Sequence, residues 1–138
     1  MVDALRRVHK SLRPDGVLLD VHPQPVNTVV EVWRGGRIDR VGDYDDGNDG
    51  VREARARLDQ IEREALFATQ TQESFDLLSH FSGVNEWFEF WAYMDYDWDD
   101  VPEKIESTAR RMLAENGGEL VIRESTRATL LKRLAGPD

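Results

Sequence analysis

The chain has no cysteine, no long apolar run and an excess of acidic over basic side chains. Without cysteine, disulfides and thiolate metal sites are excluded, and a reducing, cytoplasmic location is expected. The longest apolar run, residues 16–21, is interrupted by Asp20 and is far shorter than the roughly 20 residues that span a bilayer. The first seven residues also lack the apolar core of a signal peptide. We therefore expect a cytoplasmic protein with no membrane partner.

The charge balance limits the classes of partner. The 138 residues include 27 acidic and 18 basic side chains, which gives a formal net charge of −9. Nonspecific nucleic-acid binding requires a basic surface, so nucleic acid is not an expected partner. The length allows one hydrophobic core, and we expect residues 1–138 to form a single domain.

The first 25 residues predict a helix, a turn and a strand. Apolar residues recur at helical spacing from Ala4 to Leu12, and Pro14-Asp15-Gly16 ends the helix. Residues 16–21 are short and apolar, which favours a strand buried on both faces, as in a parallel sheet. Pro23 ends this strand because proline cannot donate to a sheet.

The middle of the chain predicts a β-hairpin over residues 28–41, followed by a helix. Gly35-Gly36 suits a two-residue turn, with Val30 and Val32 expected opposite Ile38. An apolar stripe then predicts a helix from about Gly50 to Phe67. The period of residues 68–81 is mixed, and we expect four of their side chains to be buried: Phe75, Leu77, Leu78 and Phe81.

The last third predicts two helices and a strand. Ser82 is expected to cap a helix over 85–94, lined by Trp87, Trp91 and Met94. The spacing from Asp100 to Glu103 fits a capping box for a second helix, which ends at Asn116-Gly117. Residues 119–134 suit one long strand or a strand followed by a short helix. The whole is an α/β, in practice α+β, chain with a small mixed sheet and three to four helices.

Residues 5–21, LRRVHKSLRPDGVLLDV, support a resemblance. They are similar to the "helix, L-[KR]-P-G-G, strand" segment that leads into strand five of class I S-adenosylmethionine-dependent methyltransferases. Asp15 replaces the first glycine, which a turn tolerates. The resemblance also implies a partial Rossmann-like half-fold that ends in an antiparallel strand, Glu119 to Arg133. In the family this segment follows four other strands, so we expect the chain to represent the C-terminal half alone.

The resemblance does not extend to the cofactor site. The family binds S-adenosylmethionine on a glycine-rich loop, where the backbone approaches the ligand closely at a helix N-terminus. This sequence contains no G-x-G-x-G, and its paired glycines, Gly35-Gly36 and Gly117-Gly118, lie at a hairpin turn and a helix end. We therefore assign no cofactor-binding residue, and expect the cofactor only if a complementary half is supplied.

His22 is the candidate catalytic residue. It follows the first strand at its C-terminal end, where open α/β sheets place ligands, and an imidazole there could act as acid or base. A solvent-exposed histidine that simply hydrogen-bonds to Asp20 is the alternative. No metal site is predicted, because the acidic run Asp43–Asp49 fails the calcium-loop pattern at Gly47, Asn48 and Ala54.

Two surfaces could serve partners. The aromatic residues between Trp87 and Trp98 favour a core, but Tyr96 and Trp98 lie among aspartates and could anchor a contact. A strand at 16–21 without its usual neighbour would present an open edge, which predicts a homodimer, a complementary methyltransferase half or a hairpin folded back onto it. Two functions follow: a methyltransferase-like domain without independent catalysis, or a non-enzymatic dimeric or partner-binding module.

Overall fold

A computed structural model describes residues 2–94 and 101–135. These residues form an α+β structure with four helices and a five-stranded antiparallel sheet. The helices are α1 (Val2–Ser11), α2 (Asn48–Arg63), α3 (Val84–Tyr93) and α4 (Glu103–Asn116). The strands are β1 (Val17–Pro23), β2 (Thr28–Arg34), β3 (Arg37–Tyr44), β4 (Phe67–Phe81) and β5 (Glu119–Arg133).

The last strand, β5, organises the sheet. Its residues 126–132 pair with β1, its residues 119–123 pair with β2, and it also pairs with β4. The hairpin partner β3 extends the sheet beyond β2. The mixed sheet expected from the sequence is therefore wrong, because the long β5 runs antiparallel to its neighbours.

The chain divides into two compact units. The first unit comprises Met1–Pro25, Gly47–Phe75 and Ser125–Asp138, and so contains α1, β1, α2 and parts of β4 and β5. The second unit comprises Val26–Asp46 and Asp76–Glu124, and contains the β2–β3 hairpin, α3, α4 and the remaining parts of β4 and β5.

The first unit has a small core. Ile61, Phe67 and Leu131 are buried, and half-buried apolar residues pack against them: Val2, Leu5, Val8, Leu12, Leu18 and Leu66. Leu5, Val8 and Leu12 of the predicted stripe pack here as their helical spacing indicated, whereas Ala4 is exposed and Val2 joins the core instead. The strand β1 is not buried on both faces, however. Val17, Leu19 and Val21 are each more than half exposed, because α1 and α2 pack on the face that carries Leu18.

The second unit surrounds Trp87, which is completely buried. Apolar side chains of the hairpin, the end of β4, α3, the segment before α4, α4 and β5 enclose it: Val30, Val32, Tyr44, Phe81, Val84, Val101, Ile105, Ala109, Leu120 and Ile122. Alternation along β2 and β5 directs these strand residues to one face. Met94, expected to line α3, is 48% exposed and lies outside this core.

The hairpin is confirmed, with a different register. Gly35 and Gly36 both have positive φ, 50° and 84°, as the tight turn requires. The two-residue loop makes Arg34 and Arg37 the closing pair, so Trp33 lies opposite Ile38. The expected pairing of Val30 and Val32 with Ile38 is wrong by this geometry.

Strand β4 is where the predictions failed most. The helix expected to reach Phe67 ends at Arg63, and the chain turns at Ala65, whose φ is 54°. A 15-residue strand follows. Phe81 is buried as expected, but Phe75 and Leu77 are 43% and 49% exposed. Their burial was inferred from hydrophobicity alone, whereas most of β4 is exposed on both faces.

The C-terminal elements follow the sequence closely. Helix α3 begins one residue earlier than expected, after Gly83, and Ser82 supplies no side-chain cap; its N–H instead donates to Glu86. Helix α4 begins after Pro102, and Asp100 of the expected capping box lies outside the described residues. The helix ends at Gly117 with φ 67°, as predicted. Residues 119–133 form one strand, which excludes the short terminal helix.

Candidate functional site

Strand β1 places Asp20 and His22 side by side on one face of the sheet. Residues two apart in a strand point to the same side, and β5 supplies the residues directly opposite. Thr129 pairs with Asp20, and Arg127 pairs with His22. This group of four residues, the β1–β5 polar cluster, contains the one catalytic candidate that the sequence identified.

Asp20 and His22 are joined by a hydrogen bond. His22 Nδ1 lies 2.5 Å from Asp20 Oδ2, and the two side chains are only 18% and 22% exposed. When the carboxylate accepts this hydrogen bond, Nδ1–H is the donor, and in the neutral form of the imidazole Nε2 is then an acceptor. A histidine oriented in this way by a carboxylate can take a proton from a ligand through Nε2. The hydrogen bond that the sequence suggested is therefore present, and it does not occupy Nε2, the nitrogen that would exchange a proton with a ligand.

Arg127 is fixed beside His22 by neutral groups. Its guanidinium donates to Gln24 Oε1 at 2.9 Å, and Gln24 in turn donates to Ser125 Oγ at 2.8 Å. With its amide oxygen turned toward the guanidinium, Gln72 accepts from Arg127 Nε and Nη1 at 2.9 and 3.0 Å. The acceptors in these hydrogen bonds are amide oxygens, and no carboxylate of the described residues pairs with Arg127. The guanidinium therefore keeps its positive charge in a fixed position opposite His22.

Thr129 adds a buried hydroxyl. The residue is 4% exposed, and its Oγ1 has no hydrogen-bond partner among the described residues. An unpaired buried hydroxyl costs stability, and such groups often mark a functional position. Sequence reasoning missed Arg127 and Thr129, because they lie more than 100 positions after His22 and only the β1–β5 register brings them together.

The outer edge of β1 is open. At the two ends of the pairing, Arg133 N–H donates to Gly16 O at 2.8 Å and Gln24 N–H donates to Ser125 O at 2.7 Å. Hydrogen-bond direction alternates along an antiparallel strand, so the N–H and C=O groups of Val17, Leu19 and Val21 point away from β5. Within the described residues β1 pairs with β5 alone. The same three residues thus expose apolar side chains and unpaired backbone groups.

The second unit has a polar cluster of a different kind. Glu31 accepts from Arg123 at 3.0 and 3.2 Å and from Trp33 Nε1 at 2.8 Å, and Arg123 also donates to Asp76. Burial acts to raise the pKa of Glu31, but the Arg123 and Trp33 hydrogen bonds outweigh it and hold this pKa below its usual value. Nearby, His80 lies 3.2 Å from Glu119. Because these groups satisfy one another, their evident role is structural.

The acidic run after β3 is engaged in ordinary contacts. Asp43 accepts from Asn27 at 2.8 Å and also from Arg40, while Asp49 pairs with Arg52 at 2.8 Å. Among residues 2–94 and 101–135, no group of three or more histidine or acidic side chains is placed to hold a metal ion. Tyr96 and Trp98, the possible surface anchors, lie outside the described residues.

Comparisons with known proteins add no family. No family model, curated protein or solved structure matches this chain. In the described part of the chain, no helix is both long and apolar enough to cross a membrane. The function must therefore be argued from the residues and their geometry.

Proposed function

We propose that this chain is a methyltransferase-like domain, equivalent to the C-terminal half of a class I S-adenosylmethionine-dependent methyltransferase and without catalysis of its own. One observation carries the proposal. The strand that ends the resembling segment, β1, pairs directly with β5, the terminal antiparallel strand that the resemblance implied. The helix α1 and the turn at Asp15-Gly16 precede β1 in the expected order.

The arrangement of the first unit adds support. Arg127 of β5 faces His22 of β1 and also contacts Gln72 of β4, so β5 lies between the two strands. Since β5 is antiparallel to both, β1 and β4 run in the same direction, with the β2–β3 hairpin and α2 between them in the sequence. In α/β folds, strands of one direction that are connected through a helix belong to a parallel sheet, whereas β1 and β4 are separated by β5. The shared direction of β1 and β4 is the feature of the first unit that supports a Rossmann-like half-fold.

In this proposal the cofactor site belongs to a complementary half. The sequence offers no glycine-rich loop, so S-adenosylmethionine would bind only after that half is added. The open edge of β1 is where a further strand can pair. His22 would then lie at the end of the strand next to the added half, as an acid or base for the acceptor. The absence of cysteine fits cytoplasmic action.

Calorimetry with S-adenosylmethionine tests the cofactor part of the proposal. The purified chain should give no binding heat, whereas micromolar binding by the chain alone would contradict the missing cofactor site. A neighbouring reading frame that encodes a glycine-rich half provides the positive test. Co-expression should then give a complex that binds the cofactor.

A non-enzymatic homodimer is the second candidate, and the β1 edge favours it. In a two-fold antiparallel pairing centred on Leu19, Val17 would face Val21 and the two Leu19 side chains would meet. That register joins two apolar rows that are each more than half exposed in one copy. A register centred on Asp20 would instead place two carboxylates opposite each other.

Leu19→Lys tests whether the β1 edge pairs with a complementary half or with a second copy of the chain. Lysine on an edge strand blocks association, and Leu19 is 61% exposed, so the fold should tolerate it. We expect sedimentation velocity to show loss of the dimer, or of the complex with a complementary half. Val26→Lys is the matched control, since Val26 is 57% exposed but precedes β2 in a loop. Equal behaviour of the two variants would exclude the β1 edge as the interface.

A further inference from the structure

A cavity of about 380 Å³ opens in the first unit, away from the β1–β5 polar cluster. Five residues line it: Arg6, His9 and Lys10 of α1, with Glu64 and Leu66 from the segment that joins α2 to β4. Its volume lies at the lower end of the range for small-molecule sites. The cavity belongs to none of the functions considered so far.

One wall of the cavity is a fixed ion pair. Arg6 Nη2 lies 2.9 and 3.0 Å from the two carboxylate oxygens of Glu64, and its Nε lies 3.3 Å from Oε2. The hydrogen bond and the charge of Glu64 raise the pKa of Arg6, while hydrogen bonds from Gln60 and Arg6 lower that of Glu64. Both groups therefore stay charged and satisfied, so they shape the cavity and leave little charge for a ligand.

Lys10 supplies the available charge. It lies one helical turn after Arg6 and so projects on the same side of α1. In the described part of the chain its ammonium has no salt bridge or hydrogen-bond partner. Residues 3–15 also carry Arg6, Arg7, Lys10 and Arg13 against only Asp3 and Asp15. This end of an otherwise acidic protein is locally basic, which attracts anions.

The remaining lining is apolar and holds one oriented imidazole. His9 is 7% exposed, packs edge-on against Phe67 with ring centroids 5.4 Å apart, and lies with Nε2 2.9 Å from Leu134 O. A carbonyl oxygen only accepts, so Nε2 carries a proton and donates it to Leu134 O, which fixes the orientation of the ring. Together with Leu66, the ring offers a surface for an apolar ligand body.

We propose that this cavity binds a small organic oxyanion, with its carboxylate or phosphate on Lys10 and its apolar body against Leu66 and His9. The Arg6–Glu64 pair forms the rim and fixes the spacing between α1 and α2. The ligand is a compact amphiphile, because the cavity has one free cation, a satisfied Arg6–Glu64 ion pair and apolar surface at Leu66 and the His9 ring. The inference does not depend on the methyltransferase relationship.

Benzoate and phenyl phosphate are suitable probes, with benzyl alcohol as the uncharged analogue. Titration of the full chain followed by amide NMR shifts should show saturable binding of at least one anion and much weaker binding of the alcohol. The two anions separate carboxylate from phosphate recognition. Failure of both anions to saturate, or equal binding of the alcohol, would overturn the proposal.

A pair of variants separates a site from a diffuse basic surface. Lys10→Gln should weaken the preferred anion about tenfold, the order expected when one partly shielded charge contact is lost. Arg7→Gln removes the same charge from the same helix, but Arg7 does not line the cavity, so its affinity should stay within about twofold of the parent. Equal losses in the two variants would contradict the site.

A third variant tests the cavity itself. Leu66→Trp should fill it and abolish binding of the anion while leaving Lys10 in place. Circular dichroism and the amide spectrum verify that this variant remains folded. If it is unfolded, the smaller Leu66→Phe takes its place. Undiminished binding in a folded, cavity-filled variant would show that the anion binds elsewhere.

Discussion

The two units differ in what they do with their apolar side chains. The core cluster of the second unit has eleven buried residues, Trp87 and ten others around it, drawn from the hairpin, β4, two helices, the segment before α4 and β5. The core cluster of the first unit has three buried residues with six others packed against it in part, and Val17, Leu19 and Val21 remain on the surface. A large enclosed core supplies most of the stability of a domain, so the second unit should be the more stable one.

The best-defined polar clusters of the two units also differ. In the second unit Glu31, Arg123 and Asp76 satisfy one another. In the first unit Arg127 is held by neutral amides, Thr129 lacks a partner, and Lys10 faces a cavity. Unsatisfied buried donors occur in both units, since Trp87 Nε1 and Arg34 Nε of the second unit also lack partners among the described residues. The first unit is set apart by its exposed apolar strand and its cavity, which are the features that suit binding.

The largest expected effect comes from removing the centre of the larger core. Trp87→Ala should cost about 3–5 kcal/mol of unfolding free energy, because it deletes a fully buried indole. Leu131→Ala in the first unit should cost less, about 2 kcal/mol, because its half-buried neighbours can relax into the space. Urea unfolding followed by circular dichroism measures both.

Trp87→Phe sharpens this test. The indole Nε1 has no hydrogen-bond partner in the described structure, so phenylalanine removes an unsatisfied donor along with some packing. It should cost less than half as much as alanine. If Leu131→Ala proves the more damaging variant, the ranking of the two units is wrong.

Local signals in the sequence predicted the parts of this fold that are set locally. Gly35-Gly36 defined the hairpin turn, and Gly117 ended α4, because each position requires positive φ. The apolar stripe of α1 likewise needed no distant partner. Strand β4 was missed because most of its residues are exposed on both faces, which leaves no period of two to detect.

The candidate site was predictable only in part. His22 and Asp20 are two apart on a strand, so their contact followed from strand geometry. Arg127, Thr129 and the lining of the cavity depend on long-range pairing that no local pattern encodes. The sequence predicted a strand buried on both faces, whereas Leu19 is exposed. A short apolar run does not reveal whether helices cover one face of its strand or both, so this exposure could not be predicted.

The second prediction concerns the tight packing of the second unit. A Cβ at Gly118, where φ is 106°, would come within 2.7 Å of the backbone oxygen of Trp33. Gly118→Ala should therefore cost about 2 kcal/mol or more, from backbone strain and collision together. At Gly117 a Cβ would meet open space, so Gly117→Ala adds only the strain of φ 67° and ψ −160°, a conformation nearly restricted to glycine, and should cost less, about 1–2 kcal/mol. Thermal unfolding measures the loss of stability in each variant. Equal losses would show that Trp33 and Arg34 move aside to accommodate a Cβ at Gly118.

The remaining predictions depend on pH and concern two glutamates of the second unit. The pKa of Glu31 is lowered on folding, so its stabilising contribution is present above its ordinary value of 4.5 and is lost as pH falls through its folded pKa. Glu31→Gln should destabilise the protein at pH 7 by about 1–3 kcal/mol, the loss expected for charge-assisted hydrogen bonds. The difference from the parent should shrink in urea unfolding as pH falls below 4.5.

Glu124 should show the opposite sign. Burial, followed by the charge of Asp46, raises its pKa above the ordinary value of 4.5. Its ionised form is therefore disfavoured in the folded state, and the resulting destabilisation is present at neutral pH and disappears as pH falls below the ordinary value. Glu124→Gln should stabilise the protein slightly at pH 7 and have little effect at pH 3.5. Glu31 and Glu124 belong to the same unit, so a general effect of net charge would change the stability of both variants with pH in the same direction. Opposite pH trends in their unfolding free energies would exclude such an effect. Parallel trends would contradict the distinction between a hydrogen-bonded carboxylate, Glu31, and a desolvated one, Glu124.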